Sequence, residues 1–188
     1  KYLTRYDVGR VILSVGYLRE VIMDWIDENG KEFPFTFDYA VEEEPLGTGG
    51  GIKFALEKAD DPYVVILNGD TFFDVNLDDL TRYHVTGGKA ITLALKPMKD
   101  FNRYGTVDYD RLTGTILAFN EKKECKEGLI NGGVYVVDRL APIFEQLPTK
   151  FSFETAVLEP QCTMNNLLGV VQDGYFIDND ENSAYERL

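Results

Sequence analysis

The run Tyr63-Val-Val-Ile-Leu67 limits the possible folds more than any other segment of this chain. It is apolar at every position, so no polar face alternates with a buried one. Pro62 before it and Asn68-Gly69 after it keep it short. Such a run fits a strand in a sheet covered on both faces. Other apolar runs bounded by turn residues lie at Val11–Val15, Phe35–Val41, Ala90–Leu95, Leu129–Val137 and Leu167–Val171. Among them are segments of helical period at Leu18–Glu28, Ile52–Ala59, Leu77–His84 and Arg139–Leu147. The alternation predicts a three-layer α/β fold with a mixed, mostly parallel sheet. Thr106–Tyr109 and Ile116–Asn120, separated by Asp110-Arg-Leu-Thr-Gly114, break the rhythm and read as an inserted β-hairpin. With no repeat and no linker, residues 1–188 are expected to form a single domain.

Charge narrows the function classes. Nineteen basic against 32 acidic residues give a net charge of −13, spread along the chain, and such a surface repels phosphate backbones. Nucleic acid is therefore not an expected partner. Phosphorylated small molecules would need a pocket made locally positive by a metal ion or a few lysines. Cys125 and Cys162 form no CxxC pair, which speaks against a zinc site or a disulfide framework and suits a reducing cytoplasm. No apolar run approaches the ~20 residues of a membrane span.

In an open α/β sheet, ligands bind beyond the carboxyl ends of the strands. After Tyr63–Leu67 comes Asn68-Gly69-Asp70-Thr71, where Gly69 admits close approach of a ligand and Asp70 offers a carboxylate suited to Mg²⁺. A turn or helix cap uses the same residues. A second acidic group, Asp178, Asp180 and Glu181, follows Tyr175-Phe-Ile177, and one Asp from each group can clamp a metal; a solvated acidic turn has the same composition. The run Pro45-Leu-Gly47-Thr-Gly49-Gly-Gly51 precedes a helical segment, where backbone N–H groups can meet a nucleotide, although glycine-rich turns are also structural. It matches neither GxGxxG nor GxxxxGK[ST]. His84 is the only histidine and is expected at the surface of a polar helix, which leaves carboxylates, lysines and backbone amides to carry any chemistry. Phosphoryl or nucleotidyl transfer suits that inventory. Lys122, just after a strand, is a candidate phosphate contact or a plain loop lysine.

Six segments in order resemble the sugar-1-phosphate nucleotidyltransferases: Val11–Leu18, Glu44–Gly51, Leu67–Asp70, Arg103–Val107, Asn120–Lys122 and Ile130–Tyr135. The bacterial D-glycero-α-D-manno-heptose 1-phosphate and mannose-1-phosphate guanylyltransferases are the most similar branches, with Phe151-Ser-Phe-Glu154 and Gly174–Asp178 pointing to the heptose branch. The resemblance implies a Rossmann-like nucleotide-diphospho-sugar transferase fold and transfer of GMP from GTP to a sugar 1-phosphate, with release of pyrophosphate. It implies that Asp70 and Asp178 hold the catalytic Mg²⁺, and that Leu46, Gly47 and Thr48, with Gly69, meet the nucleotide. It places Gly105, Glu121, Lys122 and Asn131 around the sugar and its phosphate, with Lys122 facing the phosphate. Oligomeric state is left open, homo-oligomers included. Asp178 is followed by Asn179-Asp180 where the family has Ile or Thr and then Gly, and the GGxGTRL loop is absent from these residues. The expectation is accordingly that a strand, this loop and a helix precede Lys1 in the whole enzyme. A non-catalytic binding or regulatory subunit of the same fold is the alternative reading.

Overall fold

The computed structural model describes residues 1–178. The described chain packs as two compact units, one from Lys1–Pro62 and Pro142–Val157, the other from Tyr63–Ala141 and residues 158–178.

In the first unit, a 3₁₀ turn at Tyr2–Arg5 leads to β1 (Arg10–Val15), α1 (Arg19–Asn29), β2 (Thr36–Val41) and α2 (Gly47–Leu56). β1 and β2 pair in parallel from Arg10↔Thr36 to Val15↔Val41, with α1 as the crossover between them, as a parallel pair requires. Phe33, Phe35 and Phe37 contact one another at ring-centroid separations of 5.4–5.7 Å, and Trp25 lies against Phe33. Phe144 stacks on Phe153 at an interplanar angle of 6°.

Two helix expectations need correction here. The helix expected at Ile52–Ala59 begins five residues earlier, inside the glycine run. Glycine disfavours helix by about 1 kcal/mol per residue relative to Ala, so tertiary packing must supply the difference. The helix expected at Arg139–Leu147 reduces to a 3₁₀ turn, Pro142–Phe144. Pro142 steers Ala141 away from helical backbone, and Asp138 holds the preceding turn by accepting the Leu140 N–H at 3.0 Å.

The second unit contains β3 (Tyr63–Leu67), β4 (Thr71–Phe73), α3 (Leu77–Gly87), β5 (Ile91–Phe101), β6 (Val107–Tyr109), β7 (Ile116–Phe119), β8 (Cys125–Asp138), α4 (Glu159–Thr163), β9 (Leu167–Val171) and β10 (Phe176–Asp178). Its four-stranded sheet has the order β3-β8-β5-β9 and is mixed, β5–β9 being parallel and the other two pairs antiparallel. Burial on both faces belongs to β5, where Ile91–Leu95 are all buried. Among the described residues β3 ends the strand order, and its Tyr63 and Leu67 are exposed. The β6–β7 hairpin forms where the sequence places it. Asp110 accepts the Leu112 and Thr113 N–H groups at its carboxylate, and Gly114 turns the chain at φ +73°.

His84 is buried, contrary to the surface position expected of it. Leu77, Leu80 and His84 recur at helical spacing on the covered face of α3, which is capped by the Asn76 side chain accepting the Asp79 N–H. The His84 Nδ1 lies 2.8 Å from Thr92 Oγ1, and the ring meets Tyr63 edge-on. Burial lowers the His84 pKa, and the charge of Asp138 opposes that shift only in part. The unfolded chain takes up the proton near the ordinary value of about 6.5, so below that pH it binds more protons than the fold does and stability falls. We expect the urea midpoint of the wild type to drop between pH 7 and 5.5 relative to that of His84→Asn; parallel curves would show that His84 does not titrate differently on folding.

Candidate active site

Asp70 ends the turn after β3, and Asp178 is the last residue of β10. β10 pairs antiparallel with β4 in the register Asp178↔Thr71, so the two carboxylates belong to adjacent positions at one end of a single ladder. Asp70 is exposed, and among the described residues its carboxylate has no hydrogen-bond or ion-pair partner. Asp178 Oδ2 accepts the Tyr104 hydroxyl at 2.9 Å. Asp178 lies within β10 and not beyond it, while Asp180 and Glu181 fall outside the described residues.

This pair suits a magnesium ion. No cluster of three or more His, Cys, Asp or Glu able to hold a metal occurs among the described residues, which leaves Asp70 and Asp178 as the two carboxylates at this end of the ladder. Mg²⁺ is commonly held by one or two carboxylates and completes its shell with water and substrate phosphates. An added Cβ at Gly69 would meet nothing within 4 Å, so no protein contact explains the glycine between Asn68 and Asp70.

Asn131 and Gly105 are linked to that end of the ladder. The Asn68 N–H donates to the Gly133 carbonyl at 3.0 Å, and Gly133, at φ +73°, has no space for a side chain beside Asn68 and Thr71. Asn131 fixes this bend by accepting the Gly133 N–H at 3.0 Å and donating to the Tyr135 hydroxyl at 2.9 Å. A Cβ on Gly105 would strike the Asn120 carbonyl, so glycine is what lets the Tyr104–Gly105 backbone lie against the residue before Glu121. Glu121 and Lys122 are exposed in the irregular segment between β7 and β8. Among the described residues neither side chain has a hydrogen-bond or ion-pair partner, which leaves Lys122 an uncommitted cation. Asp70, Gly105, Glu121, Lys122, Asn131 and Asp178 thus lie in one compact unit. Tyr104, which ties Asp178 to the Gly105 segment, was not singled out in the sequence, although it stands inside Arg103-Tyr-Gly.

Leu46, Gly47 and Thr48 lie in the first unit. Glu42 holds the entry to their turn, accepting the Leu46 N–H at 3.0 Å and the Ser14 hydroxyl at 2.8 Å. The next residues make the first turn of α2, whose leading N–H groups lack intrahelical partners. The Phe151 carbonyl takes the N–H groups of Gly49 and Gly50, at 3.0 and 3.3 Å. Those of Gly47 and Thr48 have no acceptor among the described residues. The glycine run therefore bares two backbone donors, not the whole row. Its later glycines make room for protein: a Cβ on Gly49 would overlap the Phe151 ring, and one on Gly50 the Thr149 carbonyl.

The profile of the nucleotidyl transferase family matches residues 6–175. The chain belongs to that family. It is 42% identical over 177 residues to the D-glycero-α-D-manno-heptose 1-phosphate guanylyltransferase of Aneurinibacillus thermoaerophilus, covering 94% of this chain and 75% of that enzyme. It is 41% identical over 181 residues to the enzyme of the same name from Campylobacter jejuni, covering 95% of this chain and 76% of that enzyme. The crystal structure of HddC from Yersinia pseudotuberculosis complexed with GMP-PN superposes with a TM-score of 0.84 at 28% identity, over 98% of this chain and 79% of that one. The resemblance carried by the six sequence segments and the α/β fold it implied are both borne out. No helix among the described residues is long and apolar enough to cross a membrane.

Proposed function

We propose that this nucleotidyltransferase transfers GMP from GTP to a manno-configured sugar 1-phosphate, heptose in the first instance, and releases pyrophosphate. The observation that carries this reading is the register Asp178↔Thr71, which supports a two-carboxylate site formed with Asp70 at one ladder end. Likeness to two heptose 1-phosphate guanylyltransferases supports the choice of base and sugar. The family match spans residues of both units, which supports one nucleotidyltransferase domain over 1–188. Free Cys125 and Cys162 suit the reducing cytoplasm in which such a reaction would run.

In this scheme an oxygen of the sugar phosphate attacks the α-phosphorus of GTP in line. A new P–O bond forms, the bond from the α-phosphorus to the bridging oxygen breaks, and its electron pair leaves with pyrophosphate. Asp70 and Asp178 would hold Mg²⁺, which when bound would offset charge on the attacking and leaving oxygens. Lys122 orients the sugar phosphate and balances its charge. Glu121 accepts hydrogen bonds from sugar hydroxyls, while Gly105 and Asn131 shape the sugar side. Leu46 packs on the base and ribose, the N–H groups of Gly47 and Thr48 donate to the nucleotide, and Gly69 admits its close approach.

Pyrophosphate release with each nucleoside triphosphate and a panel of sugar 1-phosphates tests this reading. GTP should exceed UTP and dTTP in kcat/KM by at least about tenfold, the discrimination expected when a polar site loses its matching hydrogen bonds. Equal specificity constants for the three would refute the guanylyl assignment.

A further inference from the structure

The segment Phe151-Ser-Phe-Glu154 lies against the start of α2. Its backbone exchanges hydrogen bonds with the turn there: the Phe151 N–H donates to the Leu46 carbonyl at 3.0 Å, and the Phe151 carbonyl takes the two glycine N–H groups described above. Its side chains continue the link. The Phe153 N–H donates to Thr48 Oγ1 at 2.9 Å, and the Thr48 hydroxyl donates to Glu154 Oε2 at 3.4 Å. The Ser152 hydroxyl donates to the same Glu154 oxygen at 3.0 Å.

A threonine hydroxyl has one proton. With that proton directed to Glu154, the Oγ1 lone pairs face the Phe153 N–H, and the Thr48 side chain is held at both its donor and its acceptor sides. The backbone N–H groups of Gly47 and Thr48 are then the donors left to the outside. An ionised carboxylate holds a hydroxyl more firmly than a neutral acceptor does. Glu154 is exposed, so it contributes little packing and its hydrogen bonds are its main structural work.

We propose that Glu154 is a positioning residue for nucleotide binding, fixing Thr48 through its hydroxyl so that the Gly47 and Thr48 N–H groups are presented in one orientation to the nucleoside triphosphate. This rests on the reading that Leu46–Thr48 takes the nucleotide. Loss of Glu154 therefore acts on nucleotide affinity, while the sugar phosphate and the chemical step are left alone. Preorganised donors save the ordering cost that a mobile turn incurs on binding.

The test compares the full chain with Glu154→Ala, Glu154→Gln and Thr48→Val. In Glu154→Ala we expect GTP affinity by calorimetry to fall and the KM for GTP to rise about threefold, the scale of one long hydrogen bond between exposed groups. The KM for the sugar 1-phosphate, kcat and the thermal midpoint should stay close to wild type. Glu154→Gln keeps an acceptor oxygen and should recover most of the loss. Thr48→Val should reproduce it, and adding Glu154→Ala to it should cost nothing further, since both act through one contact. Amide exchange of the 45–51 segment without ligand should be faster in Glu154→Ala. Unchanged exchange together with unchanged GTP affinity would overturn the proposal. So would a fall in kcat and in the thermal midpoint with both KM values rising together, which marks a scaffold role. A wild type that binds no nucleoside triphosphate would overturn the functional reading and with it the nucleotide role of Glu154, whereas nucleotide-binding failure confined to the variants leaves that reading standing.

Discussion

Asp70→Asn and Asp178→Asn are each expected to lose about 10²-fold or more in kcat, the scale on which removing one element of transition-state charge stabilisation is felt. Each change is isosteric and removes one negative charge from the end of the β4–β10 ladder. Asp70 is exposed and lacks a protein partner among the described residues, so Asp70→Asn should leave the unfolding free energy from urea titration within about 0.5 kcal/mol of wild type. Asp178→Asn still accepts the Tyr104 hydroxyl, so the contact that ties it to the 104–105 segment survives. Titration with Mg²⁺ separates loss of metal from loss of fold: both variants should need far more of the ion for their residual rate, while their circular dichroism matches wild type. Full activity in both would remove the two carboxylates from the mechanism.

Lys122→Ala should be nearly as damaging. In a chain of net charge −13, an exposed lysine without a protein partner among the described residues, two positions after the backbone that Gly105 lies against, is a cation held available. Removing it should lower kcat/KM by about 10²–10³-fold and raise the KM for the sugar 1-phosphate more than that for GTP. Arginine should restore only part of the rate, because a planar fork does not reproduce a compact ammonium. A uniform rise in both KM values with kcat untouched would make Lys122 a general electrostatic attractor and not a contact to the sugar phosphate.

Much of the second unit was legible because its signals are local. The β6–β7 hairpin follows from Asp110 and Gly114, whose turn chemistry needs no distant partner. Asp70 follows from a short apolar run ended by Asn-Gly-Asp. β4 was not legible: three residues carry no period, and the strand exists because β10 pairs with it about a hundred positions later. The start of α2 was hidden for a related reason, since glycines argue against helix, and only Phe151 and Thr149 packed on them show why they are there. His84 misled because its neighbours Asp78, Asp79, Arg82 and Tyr83 make α3 look polar, whereas the spacing from Leu77 and Leu80 puts it on the covered face. Among the site residues, Glu42, Tyr104 and Glu154 act by holding others, and a residue that positions another has no signature until its partner is placed beside it.

Nucleotidyl transfer at the α-phosphorus sends the two ends of GTP to different products. With a manno-configured sugar 1-phosphate and Mg²⁺, label in the α-phosphate should appear in a nucleotide sugar and label in the γ-phosphate in pyrophosphate, in equal amounts. Release of the γ-label as orthophosphate, with the α-label left in GDP and none in the sugar product, would show hydrolysis at the γ-phosphorus and rule out nucleotidyl transfer.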